Sequence, residues 1–310
     1  MSAEAAPGAK INGKTSTDAA FLSTIERWRL DIARAIALRN PRVSPHELNV
    51  AVQRTLARLI FLRICEDRGM EDYEQLLSTS DDVLPDSSCD FSMLSADILC
   101  RVYEQFLGKL IRLTKNGRVI VEDRPEVKKA GGIFYTPNHI VDYIVRKTVG
   151  PLVEAKSPKT IAKVRIIDPA CGSGLFLISA YQFLLEWHHR WYCENHPQKW
   201  SRGKNPTLVA TQSGVWALTI AERKRILLAH IYGVDVDAQA VEVAKLSLLL
   251  EAFAGGTSDI LPGLAENIKC ENFLIEPCSI NDDFTAVIGN PPYVDVKELP
   301  DEIKATLLRD

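Results

Sequence analysis

The chain has 310 residues, 46% of them hydrophobic, and 37 basic against 40 acidic side chains give it a formal charge of −3. That length can bury a sizeable core and hold two domains. The charge excludes a generally basic, nucleic-acid-binding surface, so any such face must be local or supplied elsewhere. No apolar stretch reaches transmembrane length and no signal-peptide core opens the chain, so an intracellular, cytoplasmic protein without a membrane partner is expected. The seven cysteines form no Cys-x-x-Cys pair and read as reduced and mostly structural.

Residues 1–20, rich in Ala, Gly, Ser, Thr and Lys, read as a disordered tail. Phe21 to Leu38 has helical apolar spacing. A second helix starts at Ser44-Pro45-His46-Glu47, where a cap residue, a first-turn proline and a glutamate complete a capping box, and stops near Gly69. Asp81 to Asp90 is an acidic loop, and Ser95 to Leu113 is predicted as a further helix. From Lys109 to Lys129 there are seven basic residues against three acidic ones. Such a run serves either as a phosphate contact or as a solvated face. A helical domain over 21–125 is therefore expected, followed by a catalytic domain over 126–310.

Val164-Arg165-Ile166-Ile167 reads as a strand. Asp168-Pro169-Ala170-Cys171-Gly172-Ser173-Gly174 and an apolar run from Leu175 to Leu185 follow it. This strand, Gly-rich turn and helix make the first unit of a doubly wound α/β sheet, where ligands sit beyond the carboxyl ends of strands. The dinucleotide pattern fails because Leu177 stands where a third glycine belongs, and no Gly-Lys-Ser/Thr is present. An acidic residue entering the turn suits a ligand with a cationic amino-acid end. His188, His189, Cys193 and His196 match no usual zinc spacing and read as the end of an aromatic helix and a surface insertion. Gly233-Val234-Asp235 reads as a second strand end.

Thr285-Ala286-Val287-Ile288-Gly289 is a short apolar run leading into Asn290-Pro291-Pro292-Tyr293. The prolines stiffen the turn and donate no N–H, so the Asn290 amide oxygen and the Pro291 carbonyl are left as acceptors beside the flat ring of Tyr293. That set fits an exocyclic amino group on a planar ring. An ordinary strand-to-loop turn would carry the same tetrapeptide, and the Gly-rich turn upstream favours the chemical reading.

Together these segments resemble the S-adenosylmethionine-dependent DNA adenine-N6 methyltransferases of the gamma group, with the catalytic motif last. The resemblance implies a Rossmann-like methyltransferase sheet preceded by an α-helical domain. Gly131-Gly132-Ile133-Phe134-Tyr135-Thr136-Pro137 resembles the loop that closes over the cofactor's methionine part, which implicates Tyr135, Thr136 and Pro137. Asp168 to Gly174 resembles the cofactor turn, with Asp168, Ala170, Cys171, Gly172 and Gly174 as its contacts. Asp235 and Val236 match the strand end that grips the ribose. Asn272 and Phe273, in Cys270-Glu271-Asn272-Phe273-Leu274, match the adenine-binding strand end. Asn290, Pro291, Pro292 and Tyr293 match the catalytic motif. Leu94 to Lys109, Arg223 to Asp237 and Ala240 to Leu250 are similar to the large type IIG restriction–modification and phage-defence enzymes.

The resemblance implies methyl transfer from S-adenosylmethionine to a flipped-out adenine in double-stranded DNA, without a metal. Seventeen residues follow Tyr293, whereas such a fold needs about three more strands and a target-recognition domain. A fragment, or a chain completed by a specificity subunit or other partner, is therefore expected. Protein glutamine, RNA guanine or cytosine-N4 methylation, or a non-catalytic cofactor-binding or assembly role, are the alternatives. Pro85-Asp86 with Glu126-Val127-Lys128 has the letters of a nuclease site but reads as chance.

Overall fold

The computed structural model describes residues 12–67, 96–107, 109–114, 118–123, 136–253, 263–275, 279–280, 283–293 and 304, with side chains from Phe21 onward. The acidic loop at 81–90, residues 124–129 with their nuclease-like letters, and residues 131–135, including Tyr135, lie outside these.

Helix α1 spans Asn12–Arg39. Its Phe21, Ile25 and Trp28 recur at helical spacing and are buried. It begins inside the stretch whose composition pointed to a disordered tail. Once the packed turns exist, extending a helix backward adds a hydrogen bond for each residue fixed, unlike the costly first turn. Helix α2 spans Pro45–Asp67. Its capping box forms: Ser44 N–H donates to Glu47 Oε2 at 2.9 Å and Glu47 N–H donates to Ser44 Oγ at 3.2 Å.

Helix α3 covers only Ile98–Leu107, so the helix expected to run on to Leu113 is corrected. Lys109–Leu113 is instead strand β1, paired antiparallel with β2, Val119–Asp123. Leu110, Ile111 and Leu113 fit either period, and long-range partners decide. Ile111 is fully buried, and the Asn49 side chain of α2 satisfies its backbone in both directions, at 2.9 and 2.7 Å. Of the described basic residues in this run, Lys109 pairs with Glu26 of α1 and Arg112 with Glu122 of β2, each at 2.9 Å, and Arg118 is exposed.

Helices α4 (Asn138–Thr148) and α5 (Gly150–Val153) lead into four short strands: β3 (Ile166–Asp168), β6 (Ile231–Asp235), β7 (Ile268–Cys270) and β8 (Ala286–Val287). All pair in parallel, in the order β7-β6-β3-β8. The chain thus starts in the middle, moves outward to β7, and returns on the other side of β3. Such a reversal opens a crevice at the carboxyl ends of the strands. The crossovers are α6 (Leu175–Glu194), α8 (Ile220–His230) and α9 (Ala238–Ala252). They bury Ile166, Leu177, Tyr181, Leu184, Ile226 and Ile231 on one face of the sheet. The other face packs Ile167, Tyr232 and Val234 under Ile280 and Phe284.

Between α6 and α8 lies the insertion, which contains α7 (Pro197–Trp200) and an antiparallel hairpin of β4 (Leu208–Ala210) and β5 (Trp216–Leu218). Trp191 and Tyr192 pack on Trp200 with ring centroids 5.6 and 4.9 Å away. The histidines go to different partners. His188 is buried with Nδ1 2.8 Å from the Leu184 carbonyl, and His189 Nε2 lies 2.7 Å from the Trp216 carbonyl. Among the described residues, no helix is long and apolar enough to cross a membrane.

Helix α9 is apolar nearly all round, as expected of a helix enclosed on several sides. Ala240, Val243, Leu246 and Leu250 pack into one core with Phe21, Phe61 and Phe106 of α1, α2 and α3. Val241, Ala244 and Leu248 join the core against the sheet. Removing the fully buried Phe61 ring by Phe61→Ala should cost about 3–5 kcal/mol. Because α9 belongs to both cores, urea denaturation should still show one transition by fluorescence and circular dichroism. Two separated transitions would contradict this coupling.

Candidate active site

The carboxyl ends of β3, β6, β7 and β8 bring most of the sequence-predicted residues to one edge. After β3 the chain turns through Asp168–Gly174. Gly172 and Gly174 have φ of +53° and +96°, conformations that favour glycine. A Cβ on Gly172 would meet nothing within 4 Å, so that face is open for close approach of a ligand to the backbone. A Cβ on Gly174 would lie 2.9 Å from that of Ala244, because the start of α6 crosses α9 there. Cys171 points into the core, and its N–H donates to Val234 O at 2.9 Å, so only its backbone borders the crevice. Ala170 N–H donates to Asp168 Oδ1 at 3.0 Å.

Asp235, ending β6, ties two turns together. Its Oδ2 accepts from Gly172 N–H and its Oδ1 from Asp237 N–H, each at 2.8 Å. Each oxygen keeps a lone pair for a further donor. Val236 beside it is exposed. After β7, Asn272 uses its side-chain oxygen to accept from Leu274 N–H at 3.1 Å, forming a local turn. That turn leaves Phe273, Leu274 and Ile275 with substantial apolar surface on this edge.

β8 delivers Asn290. Its Nδ2 donates to Thr136 Oγ1 at 3.1 Å, joining the segment before α4 to the tetrapeptide across 154 positions. Pro137 caps α4, its carbonyl accepting from Ile140 and Val141 N–H. Pro291 and Pro292 are exposed, and Tyr293 is 84% exposed. The tyrosine ring is a free flat surface at the mouth of the crevice.

Gly289 is a functional position that sequence reasoning missed. Its φ is +149°, and a Cβ there would collide with the Asp168 Oδ1 atom. The bare backbone lets β8 close against the buried carboxyl end of β3. Its place just before Asn290 was the available signal. Asp237 was missed too: it caps α9 by accepting from Gln239 N–H at 2.8 Å and accepts the Tyr103 hydroxyl at 2.5 Å.

The crevice is acidic and poorly hydrated at its base. Asp168 is 1% exposed, and burial pushes its carboxyl from 3.8 up to about 7. The Ala170 N–H opposes that rise and the charge of Asp235 adds to it. Burial likewise raises the Cys171 thiol and keeps it protonated. A base of this kind favours a cation over a pyrophosphate, because a positive group would offset the cost of ionising Asp168.

Gly289→Ala should destabilise the protein by about 3 kcal/mol or more, read from the urea midpoint, since both backbone and carboxyl must shift. Asp168 carries a pH signature. The unfolded carboxyl ionises near 3.8 and the folded one near 7, so the folded chain holds the extra proton in between. The stability this group contributes is full below the lower value and is lost as pH rises through the upper one. Asp168→Asn should therefore gain on the wild type as pH rises from about 4.5 to about 7.5. Histidine titration is common to both proteins and cancels. A constant difference would refute the assignment.

Comparison with known proteins places the chain among DNA methyltransferases. The family model described as the DNA-methyltransferase domain of MmeI matches residues 155–309, which contain the Asp168, Asp235 and Asn290 segments. The chain is similar to the type II restriction enzyme and methyltransferase RM.Eco57I of Escherichia coli, 29% identical over 346 aligned positions, covering 90% of this chain and 34% of that protein. It is also similar to the adenine-specific methyltransferase PglX of Streptomyces coelicolor, 28% identical over 127 positions, covering 41% of this chain and 8% of that protein. Among solved structures, that of a DrdV–DNA complex aligns with a TM-score of 0.40 at 16% identity, covering 84% of this chain and 24% of that one. The chain thus spans about a third of RM.Eco57I or less of these longer relatives. By the match over half its length, this chain belongs to the MmeI DNA-methyltransferase domain family.

Proposed function

We propose that this chain is the S-adenosylmethionine-binding and catalytic part of a DNA adenine-N6 methyltransferase in a restriction–modification or related defence system. Its sheet is read as the first half of a Rossmann-like methyltransferase fold. Double-stranded DNA is the partner, with sequence recognition supplied outside the region described here. The observation that carries the reading is the hydrogen bond from Asn290 Nδ2 to Thr136 Oγ1. It orients the amide so that Oδ1 is left to accept from a substrate amine.

The chain's own groups fit the cofactor. Gly172 presents open backbone, Asp235 offers spare lone pairs to a ribose diol, and Val236 and Phe273 offer apolar surface to a purine. When bound, the cofactor supplies a methyl group on a sulfonium. The remaining chemistry falls to the tetrapeptide. The lone pair of an adenine amino group is delocalised into its ring, which makes it a poor nucleophile. Asn290 Oδ1 and the Pro291 carbonyl accept its two hydrogens and favour a pyramidal nitrogen. They also stabilise the positive charge that develops there, as preorganised dipoles. Holding the amine in line supplies much of the rate. The base must leave the duplex, and stacking on Tyr293 offsets about 1–3 kcal/mol of that cost.

Calorimetry with S-adenosylmethionine tests the site. Asp235→Ala should weaken binding at least about tenfold, the loss of one or two hydrogen bonds. Asn290→Ala should leave binding within about twofold yet reduce methyl transfer to adenine in DNA by about 10²–10³. A folded wild-type chain that binds no cofactor would refute the proposal.

A further inference from the structure

Helix α3 belongs to neither the sheet nor the matched family segment, yet it touches both turns of the site. Cys100 and Glu104 lie four residues apart on one helix face, with Tyr103 beside them. The Cys100 thiol donates to the Ser173 carbonyl at 2.9 Å, and the Ser173 hydroxyl donates to Glu104 Oε1 at 3.0 Å. Tyr103 OH donates to Asp237 Oδ2 at 2.5 Å. Ser173 sits between the two glycines of the cofactor turn, and Asp237 follows Asp235. One turn of α3 therefore holds both segments.

Glu104 does more than this bracing requires. A serine or glutamine would also pair with Ser173, but here a carboxylate is present, and its second oxygen, Oε2, is buried with no hydrogen-bond partner among the described residues. A buried carboxylate oxygen without a donor is costly and invites a positive group. Burial raises the Glu104 carboxyl above its ordinary range, and the Ser173 hydrogen bond opposes that rise. In the reading above, the ribose end of the ligand lies at Asp235 and the methyl end at Asn290 and Thr136. Its amino-acid end must then run past Ser173 toward the start of α4. That is where α3 meets α4, with Asn138 Nδ2 3.5 Å from Asp97 Oδ2.

We propose that Glu104 is a cofactor-binding residue whose free carboxylate oxygen accepts the α-ammonium of the cofactor's amino-acid end. The inference rests on the S-adenosylmethionine reading and adds to the site a residue from the helical region. Glu104 then couples that region to cofactor occupancy, because the same carboxylate grips Ser173.

The test is calorimetric binding of two probes to wild type and Glu104→Gln. S-adenosylhomocysteine carries the ammonium; methylthioadenosine lacks the amino-acid end. The amide keeps an acceptor for Ser173 but places an NH₂ group where the free oxygen was. Glu104→Gln should weaken S-adenosylhomocysteine about tenfold to a hundredfold, the range for a charge-assisted hydrogen bond. Methylthioadenosine should change by less than about twofold. Equal losses for both probes, or no loss for either, would overturn the role of Glu104 and leave the cofactor site standing. Failure of the folded wild type to bind either probe would overturn the cofactor reading itself, and this inference with it. Thermal melting reports folding, and Glu104→Ala serves as a second variant with the same expected selectivity.

Discussion

The structure depends on close packing along α9. Small residues on this helix let other elements approach: Ala244 meets Gly174 almost backbone to backbone, and Ser247 lies 3.6 Å from the Cys100 sulfur. A larger side chain at Ala244 would push the Asp168–Gly174 turn off the sheet edge. One at Ser247 would push α3 away from Ser173. Contacts this tight transmit displacement because protein interiors are close-packed. The glycine pattern of the turn is thus accounted for from beneath by this packing. Gly233 shows the same constraint from the strand side, where a Cβ would overlap Leu177 and crowd the Cys171 sulfur.

The electrostatics follow from that packing. Enclosing the ends of β3 and β6 strips water from Asp168, while Asp235 is held by backbone N–H groups from two turns. The two carboxylates therefore differ in what they await. Asp235 already accepts two backbone N–H groups and keeps lone pairs for hydroxyl donors. Burial raises the Asp168 carboxyl to about 7, and a nearby cation would favour its ionised form. A dinucleotide would place phosphate charge against both, at a cost that neither the turn nor the helix start offsets. The acidic crevice is consistent with a zwitterionic ligand whose positive end is buried.

Local features of this architecture were legible in the sequence. The Ser44 capping box, the strand–turn–helix around Asp168 and the Gly233-Val234-Asp235 strand end are each written in a handful of neighbouring residues. The distant pairings were not. Lys109–Leu113 is a strand because Asn49 and Val119–Asp123 meet it, and its own periodicity favours neither state. The partners of Glu104 and Tyr103 lie 69 and 134 positions away. Similarity marked this helix as noteworthy and gave it no role. In the same way, Gly289 read as the end of an apolar run, and only the fold shows the Asp168 carboxyl behind it.

Thr136 and Asn290 show how the two halves of the site limit one another. A primary amide presents a donor and an acceptor on opposite sides of one plane, and the bond to Thr136 commits the donor side. The acceptor side is thereby pointed away from Thr136. An aspartate at 290 would keep an acceptor but add a negative charge next to Gly289, whose backbone closes on the Asp168 carboxyl. A serine would offer one rotatable oxygen with no fixed direction. Asparagine is the side chain that supplies a neutral, oriented acceptor in an already acidic crevice. The proline after it donates no N–H and leaves its carbonyl as the second acceptor. The tetrapeptide therefore presents oriented acceptors without adding charge beside the Asp168 carboxyl.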